Sequence, residues 1–205
     1  MIGIIDYGIG NLHSVRKAIE RVGGDTGLVG TVSEISRAEK IVLPGVAAFG
    51  DAMEQLRQKG FVEPIIEAIE SGTPYLGFCL GLQLLFDISY EEGEHTGLGI
   101  LPGKVIRLRE TSGRDRKLKI PHIGWNQIHW DRPVPLLAGM DNDAYVYFDH
   151  SYHVVPLDPT VTAATTEYGS RFVSAVWKDN IFATQFHPEK SQQVGLKLLE
   201  NFVRL

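Results

Sequence analysis

The 205-residue sequence contains one cysteine, three methionines and three tryptophans. One cysteine excludes an intramolecular disulfide and a cysteine-built metal cage. No H-E-x-x-H or comparable histidine spacing is present, so no metal site is expected. Long hydrophobic runs are also missing. The longest, Pro74 to Phe86, is interrupted by Gly77, Gly81 and Gln83, and a bilayer span needs about 20 apolar residues. There is no excess of positive charge: 20 Lys and Arg stand against 25 Asp and Glu, for a net charge of −5. A chain that wraps nucleic acid or coats an anionic membrane needs a basic surface, so neither partner is expected. The opening Met1-Ile2-Gly3-Ile4-Ile5-Asp6 meets an acid too early for a signal peptide, and a soluble, cytoplasmic protein is expected. Low-complexity segments, fixed-period repeats and Pro/Gly/Ser-rich linkers are absent.

What remains is an ordinary globular composition, 43% hydrophobic, 22% charged and 9% aromatic. The length fits a single domain over residues 1–205. The first half alternates short apolar runs with amphipathic stretches, the pattern of βα units. Strands are predicted at Ile2–Ile5, Ile41–Leu43 and Tyr75–Phe78, and helices at Asn11–Val22, Phe49–Gln58, Phe61–Glu70 and Leu80–Phe86. The second half is strand-rich, with runs at Val105–Leu108, Ile123–Trp130, Ala144–Phe148, Tyr152–Val155, Thr160–Glu167, Arg171–Trp177 and Ile181–Phe186. Lys178-Asp179-Asn180 suits a hairpin turn, and Gln192–Val203 closes the chain as a helix. The expected class is α/β, with an antiparallel second half folded onto the same sheet.

The most informative stretch is Gly77-Phe78-Cys79-Leu80-Gly81. It has the G-x-nucleophile-x-G form, with cysteine in place of serine, between a predicted strand and a predicted helix. The flanking glycines are needed because the nucleophile occupies a strained turn pressed against strand and helix. A helix N-terminus also favours a thiolate. The alternative is a buried apolar cysteine. A cysteine nucleophile needs a base. In Gln185-Phe186-His187-Pro188-Glu189, His187 leaves a predicted strand end, and Glu189 can accept from its second nitrogen and fix the tautomer. Alone, this could be a solvated loop histidine; with Cys79 it makes a nucleophile–base–orienter set. His150 and His122 are weaker candidates, and His13, His95, His129 and His153 carry no partner pattern. The Gly8-Ile9-Gly10 loop lacks the third glycine of a dinucleotide fingerprint, His13 standing in its place. It reads as a tight turn near the carboxyl edge of the sheet.

With Cys79, His187 and Glu189 in place, the sequence resembles the class I (triad) glutamine amidotransferases over its whole length. The general marks are Leu43-Pro44-Gly45, Gly77 to Gln83 and Phe186-His187-Pro188-Glu189. Further marks resemble the branch of glutaminase subunits of imidazole glycerol phosphate synthases. They are Asp6 to Leu12, Pro121-His122-Ile123-Gly124-Trp125-Asn126, Tyr147 to Tyr152 and Lys190-Ser191. The resemblance implies an α/β fold with a mixed, largely parallel central sheet flanked by helices. It implies that Cys79 attacks the side-chain amide of glutamine while backbone N–H groups of Leu80 and the Gly45-Val46 segment hold the oxyanion. His187 would serve as acid and base. It implies substrate contacts from Gln83, from Glu91 to the α-ammonium, and from the backbone of His150-Ser151-Tyr152 to the α-carboxylate. It also implies a heterodimer in which ammonia passes to a β/α-barrel synthase subunit, with Trp125, Asn126, Tyr147 and Lys190 on the contact surface. No cofactor is expected.

Two positions depart from the family pattern. Ala47 stands where Pro-Gly-Val-Gly has its last glycine, and Asp149 where an apolar residue is usual. A Cβ at position 47 raises the cost of a backbone flip. Two other functions share part of this pattern: a stand-alone cysteine hydrolase of the same superfamily, and a binding protein that has kept the fold without activity. The intact Cys79, His187 and Glu189 speak against the second.

Overall fold

The computed structural model describes residues 1–109, 112–113 and 116–205. The elements are β1 (Ile2–Ile5), α1 (Leu12–Arg21), β2 (Thr26–Val29), α2 (Val32–Ile35), β3 (Lys40–Leu43), α3 (Phe49–Gln58), α4 (Val62–Glu70), β4 (Tyr75–Phe78) and α5 (Leu80–Gln83). They continue as β5 (Phe86–Ser89), β6 (His95–Thr96), β7 (Leu101–Arg107), β8 (Ser112–Gly113), β9 (Arg116–Lys117), β10 (His122–Gln127), β11 (Tyr145–His150) and β12 (Tyr152–Pro156). The last are β13 (Thr162–Tyr168), β14 (Ser170–Lys178), β15 (Ile181–Thr184) and α6 (Gln192–Arg204).

A seven-stranded sheet runs in the order β13-β14-β15-β4-β3-β1-β2. The five strands from β15 to β2 are parallel, and β14 and β13 add antiparallel at one edge. The inner strands read as unbroken apolar runs because both faces are covered. Their side chains alternate between two cores. Ile2, Ile4, Val42, Leu76, Phe78 and Phe182 meet Val15 and Ile19 of α1 and Leu198, Leu199 and Phe202 of α6. Ile5, Ile41, Leu43, Tyr75, Ile181 and Ala183 meet Ile35, Met53, Leu56, Ile65 and Ile69 of α2, α3 and α4. Helix α1 begins where predicted, the Asn11 side chain accepting from Ser14 N at 3.2 Å. Lys178 pairs with Ile181, leaving Asp179-Asn180 as the predicted hairpin turn, with Asp179 at φ 50°. Among the described residues no helix is long and apolar enough to cross a membrane.

Two sequence expectations are corrected, and some elements escaped the sequence reading. First, β13, β14 and β15 join the main sheet, but β12-β7-β5-β6 form a separate sheet and β10-β11 a separate ribbon. Second, the helix predicted at Leu80–Phe86 stops at Gln83, and Phe86 opens β5. The Leu84 and Leu85 carbonyls accept from Leu98, Ile100 and Leu101 N–H groups, so a later segment takes the bonds that would have continued the helix. An apolar run buried on all sides has no periodicity to announce this. Among those that escaped, β2 and α2 lie in a stretch without strong periodicity. Strand β2 is a partly exposed sheet edge, and α2 is a single turn held by a Thr31–Glu34 capping box.

The consequence for function is convergence. Leu43 pairs with Gly77, and Phe78 with Thr184. The loops leaving β1, β3, β4 and β15 therefore emerge side by side at the carboxyl edge, where α/β sheets present their sites.

Candidate active site

Cys79 leaves β4 at φ 50°, ψ −97°, outside the regions an L-residue prefers, at a cost of order 1–3 kcal/mol. The strain is maintained by what surrounds it. The Cys79 N–H donates to Thr184 O at 2.7 Å. A Cβ at Gly77 would meet the Gly81 carbonyl at 2.5 Å, and one at Gly81 would collide with the Leu43 carbonyl. Both glycines are thus required by close approach. The helix behind the nucleophile has only four residues, so its dipole is that of one turn and smaller than the predicted longer helix would supply. Leu80 is its first residue, and its N–H has no intrahelical acceptor.

His187 lies beyond β15, its N–H donating to Tyr147 O at 2.9 Å. A 3₁₀ turn at Pro188–Lys190 folds Glu189 back, and His187 Nδ1 donates to Glu189 Oε1 at 2.8 Å with both side chains buried. Ser191 locks this turn: its hydroxyl donates to His187 O at 2.6 Å and accepts from Tyr147 N at 3.0 Å. Nδ1 therefore carries a proton, and Nε2 is the nitrogen left for chemistry. Nε2 is buried and makes no well-formed hydrogen bond, yet Cys79 stands close enough to act on it. Burial disfavours the imidazolium, but Cys79 and then Glu189 outweigh that penalty and push the His187 pKa up to about 10.

A cavity of about 240 Å³ opens above Cys79, lined by Val46, Ala47, Leu80, Gln83, Glu91 and the His150–Tyr152 segment. His187 and Glu189 are buried and do not line it. Gly45 is buried and Val46 exposed. Glu91 is half-committed: its Oε2 accepts from Phe49 N at 2.7 Å at the start of α3. Burial raises its pKa. The His150 side chain turns away from the cavity, with Nδ1 2.8 Å from the Tyr152 carbonyl.

The comparisons with known proteins bear on this geometry. Residues 3–205 match the family "Glutamine amidotransferase class-I". The chain belongs to that family. It is 56% identical over 203 residues to the imidazole glycerol phosphate synthase subunit HisH of Syntrophotalea carbinolica, covering 98% of each chain. It is 54% identical over 202 residues to the protein of that name from Aquifex aeolicus, covering 98% of this chain and 95% of the other. Among solved structures, PurLQS from Thermotoga maritima superposes with a TM-score of 0.76 at 20% identity, over 99% of this chain and 97% of that one. A putative GMP synthase protein from Thermoplasma acidophilum gives 0.71 at 22% identity, over 99% and 92%. At that identity the likeness speaks for the fold.

Of the four residues predicted for a contact surface, Trp125, Tyr147 and Lys190 lie together on one face of the ribbon and the adjoining turn, and Asn126 does not. Trp125 is 46% exposed, pairs across the ribbon with Tyr147 and meets it edge-on at 6.0 Å. Lys190 stands 5.5 Å over the Tyr147 ring and 3.9 Å from Asp149. Asn126 is turned to the other side of β10, donating to Glu167 O at 2.9 Å. Two site residues carried no signal of their own in the sequence analysis. Gln185 is fully buried and its Nε2 donates to Cys79 Sγ at 3.5 Å; the adjacency to His187 was the one available hint. Tyr7 is fully buried and donates to Pro44 O at 2.9 Å, bracing the segment that carries Gly45 and Val46. Burial first, and then Cys79, hold its phenol pKa well above the usual range.

Proposed function

We propose that this chain is the glutaminase subunit of an imidazole glycerol phosphate synthase, releasing ammonia from glutamine for histidine biosynthesis. The observation that carries the proposal is the set Cys79, His187 and Glu189, with Cys79 lining a partly open cavity of about 240 Å³ and the paired His187 and Glu189 buried.

Cys79 passes its thiol proton to His187 Nε2, its Sγ attacks the side-chain carbonyl carbon of glutamine, and the oxyanion is received by N–H groups of Leu80 and the Gly45-Val46 segment. As the C–N bond breaks, His187 Nε2 delivers its proton to the departing nitrogen and ammonia leaves. His187 then takes a proton from water, hydroxide attacks the thioester, and glutamate departs as the thiol is restored. Glu189 holds Nδ1–H, so that Nε2 always faces the sulfur. Glu91 receives the α-ammonium, Gln83 touches the bound glutamine, and the His150–Tyr152 backbone receives the α-carboxylate.

The chain acts as one catalytic domain in the cytoplasm, paired with a β/α-barrel synthase subunit that consumes the ammonia. The exposed Trp125–Tyr147–Lys190 face supports a partnered enzyme over a stand-alone hydrolase, because aromatic side chains with a lysine at the rim are typical interface anchors. The test is to incubate the chain with glutamine, alone and with the barrel partner, and to measure glutamate and imidazole glycerol phosphate. Matched formation of both, dependent on the partner, is expected. Absence of glutamate in the complex would overturn the reading.

A further inference from the structure

The mechanism above leaves two buried histidines unused. His122 on β10 and His150 on β11 are 3% and 5% exposed, and their rings touch through His122 Nδ1 and His150 Nε2 at 3.0 Å. His122 Nε2 lies 3.3 Å from Asn126 Nδ2, and His150 Nδ1 lies 2.8 Å from Tyr152 O. The same carbonyl accepts from Gln83 Nε2 at 3.0 Å. Gln83 Nε2 also donates to Gln185 Oε1 at 3.2 Å, and Gln185 Nε2 donates to Cys79 Sγ.

The proton positions along this chain follow from its ends. A carbonyl oxygen only accepts, so His150 Nδ1 carries the hydrogen. Burial in an apolar setting keeps His150 neutral, so its Nε2 is a lone pair. His122 Nδ1 must then donate to it. His122 is likewise kept neutral by burial, so its Nε2 is an acceptor and Asn126 must present its amide NH₂. Asn126 agrees, since Nδ2 also donates to Glu167 O and Oδ1 accepts from Gln127 N at 2.8 Å. Every member has one permitted orientation. Gln83 spends both hydrogens inside the chain, which leaves its carbonyl oxygen for the cavity that Gln83 lines.

We propose that His122 is a positioning residue for substrate binding: through His150 and the Tyr152 carbonyl it orients Gln83 so that Gln83 Oε1, an acceptor, faces the ligand and receives one of its N–H groups. This rests on the reading that glutamine occupies the cavity. The imidazole is suited to the task because it accepts on one edge, donates on the other and is clamped by stacking between Phe148 at 4.7 Å and Tyr168 at 4.0 Å.

Two measurements test it. Imidazole ¹⁵N spectra of the full chain without substrate are expected to show both His122 and His150 as neutral Nδ1–H tautomers. In Asn126→Asp the carboxylate can only accept, so His122 must gain a proton on Nε2 and show an imidazolium signature at the same pH. An Nε2–H tautomer at either histidine in the unmodified chain overturns the relay without touching the glutaminase reading. In kinetics with the barrel partner, His122→Phe keeps the stacked ring and removes both hydrogen bonds. It is expected to raise the glutamine KM about tenfold with a smaller change in kcat, and to leave ammonia-dependent synthesis unchanged. His122→Gln, which can accept and donate in the same directions, is expected to restore KM to within about threefold of the original. An unchanged KM in His122→Phe, or equal losses in both variants, overturns the proposal; loss of all glutamine turnover in the unmodified complex would overturn the function instead.

Discussion

At the scale of single residues, the site is a set of groups each made useful by its neighbours. Cys79→Ser is expected to abolish glutamine-dependent synthesis while ammonia-dependent synthesis by the partner continues. Undiminished glutamine turnover in that variant would remove Cys79 from the mechanism. His187→Ala is expected to lose most glutaminase activity and Glu189→Ala less, because a base contributes more than the group that orients it. Equal activity of His187→Ala and the unmodified protein would exclude the triad. The raised His187 pKa also has a consequence for stability. A group whose folded-state pKa lies above its ordinary value near 6.5 stabilises the fold fully below that value, and the contribution is lost as pH rises through about 10. The stability advantage of the unmodified chain over His187→Gln should therefore shrink between about pH 6.5 and pH 10 in urea titrations. A constant or growing advantage would show that the imidazolium is not favoured by its surroundings.

At the scale of elements, the nucleophile turn is held by contacts that only glycine permits. Gly81→Ala forces a Cβ onto the Leu43 carbonyl, and backbone has little room to yield. A loss of about 3 kcal/mol or more is expected, with collapse of soluble yield as the outcome to measure. The segment after β3 presents the opposite case. Ala47 is partly buried against the core and lines the cavity, and its Cβ restricts the backbone beside Gly45 and Val46. Ala47→Gly should raise the basal glutaminase rate if reorienting this segment limits turnover. Identical rates and identical stimulation by the partner would show position 47 to be neutral.

At the scale of the whole molecule, a lone chain that hydrolysed glutamine freely would lose ammonia to solvent. We place the proposed partner on the exposed ribbon face. In the free chain Lys190 lies near Asp149, a surface pair worth little on its own, so a partner acid can compete for it at small cost. Lys190→Glu sets two carboxylates against each other and removes the cation from Tyr147. It is expected to weaken binding of the barrel partner and to raise glutamate formed per imidazole glycerol phosphate, with an unchanged melting temperature. If neither quantity moves, the contact surface lies elsewhere.

Much of this protein was decided locally. The four parallel inner strands were readable as apolar runs because both faces of such strands are buried. The helix at Phe49–Gln58 was predicted to the residue because its apolar spacing matches its one buried face. Cys79, His187 and Glu189 were readable because a strained nucleophile turn demands glycines at fixed spacing, and because a single residue, Pro188, separates the base from its orienter. Tertiary structure decided the rest. Whether the strands of the second half join the main sheet, form a ribbon or build a second sheet depends on which edges are free, and alternation along a strand does not encode its neighbour. Gln185, Tyr7 and the His122–His150 pair owe their roles to partners distant in the chain. A buried amide, phenol or imidazole acquires direction only from the donor or acceptor that folding places against it.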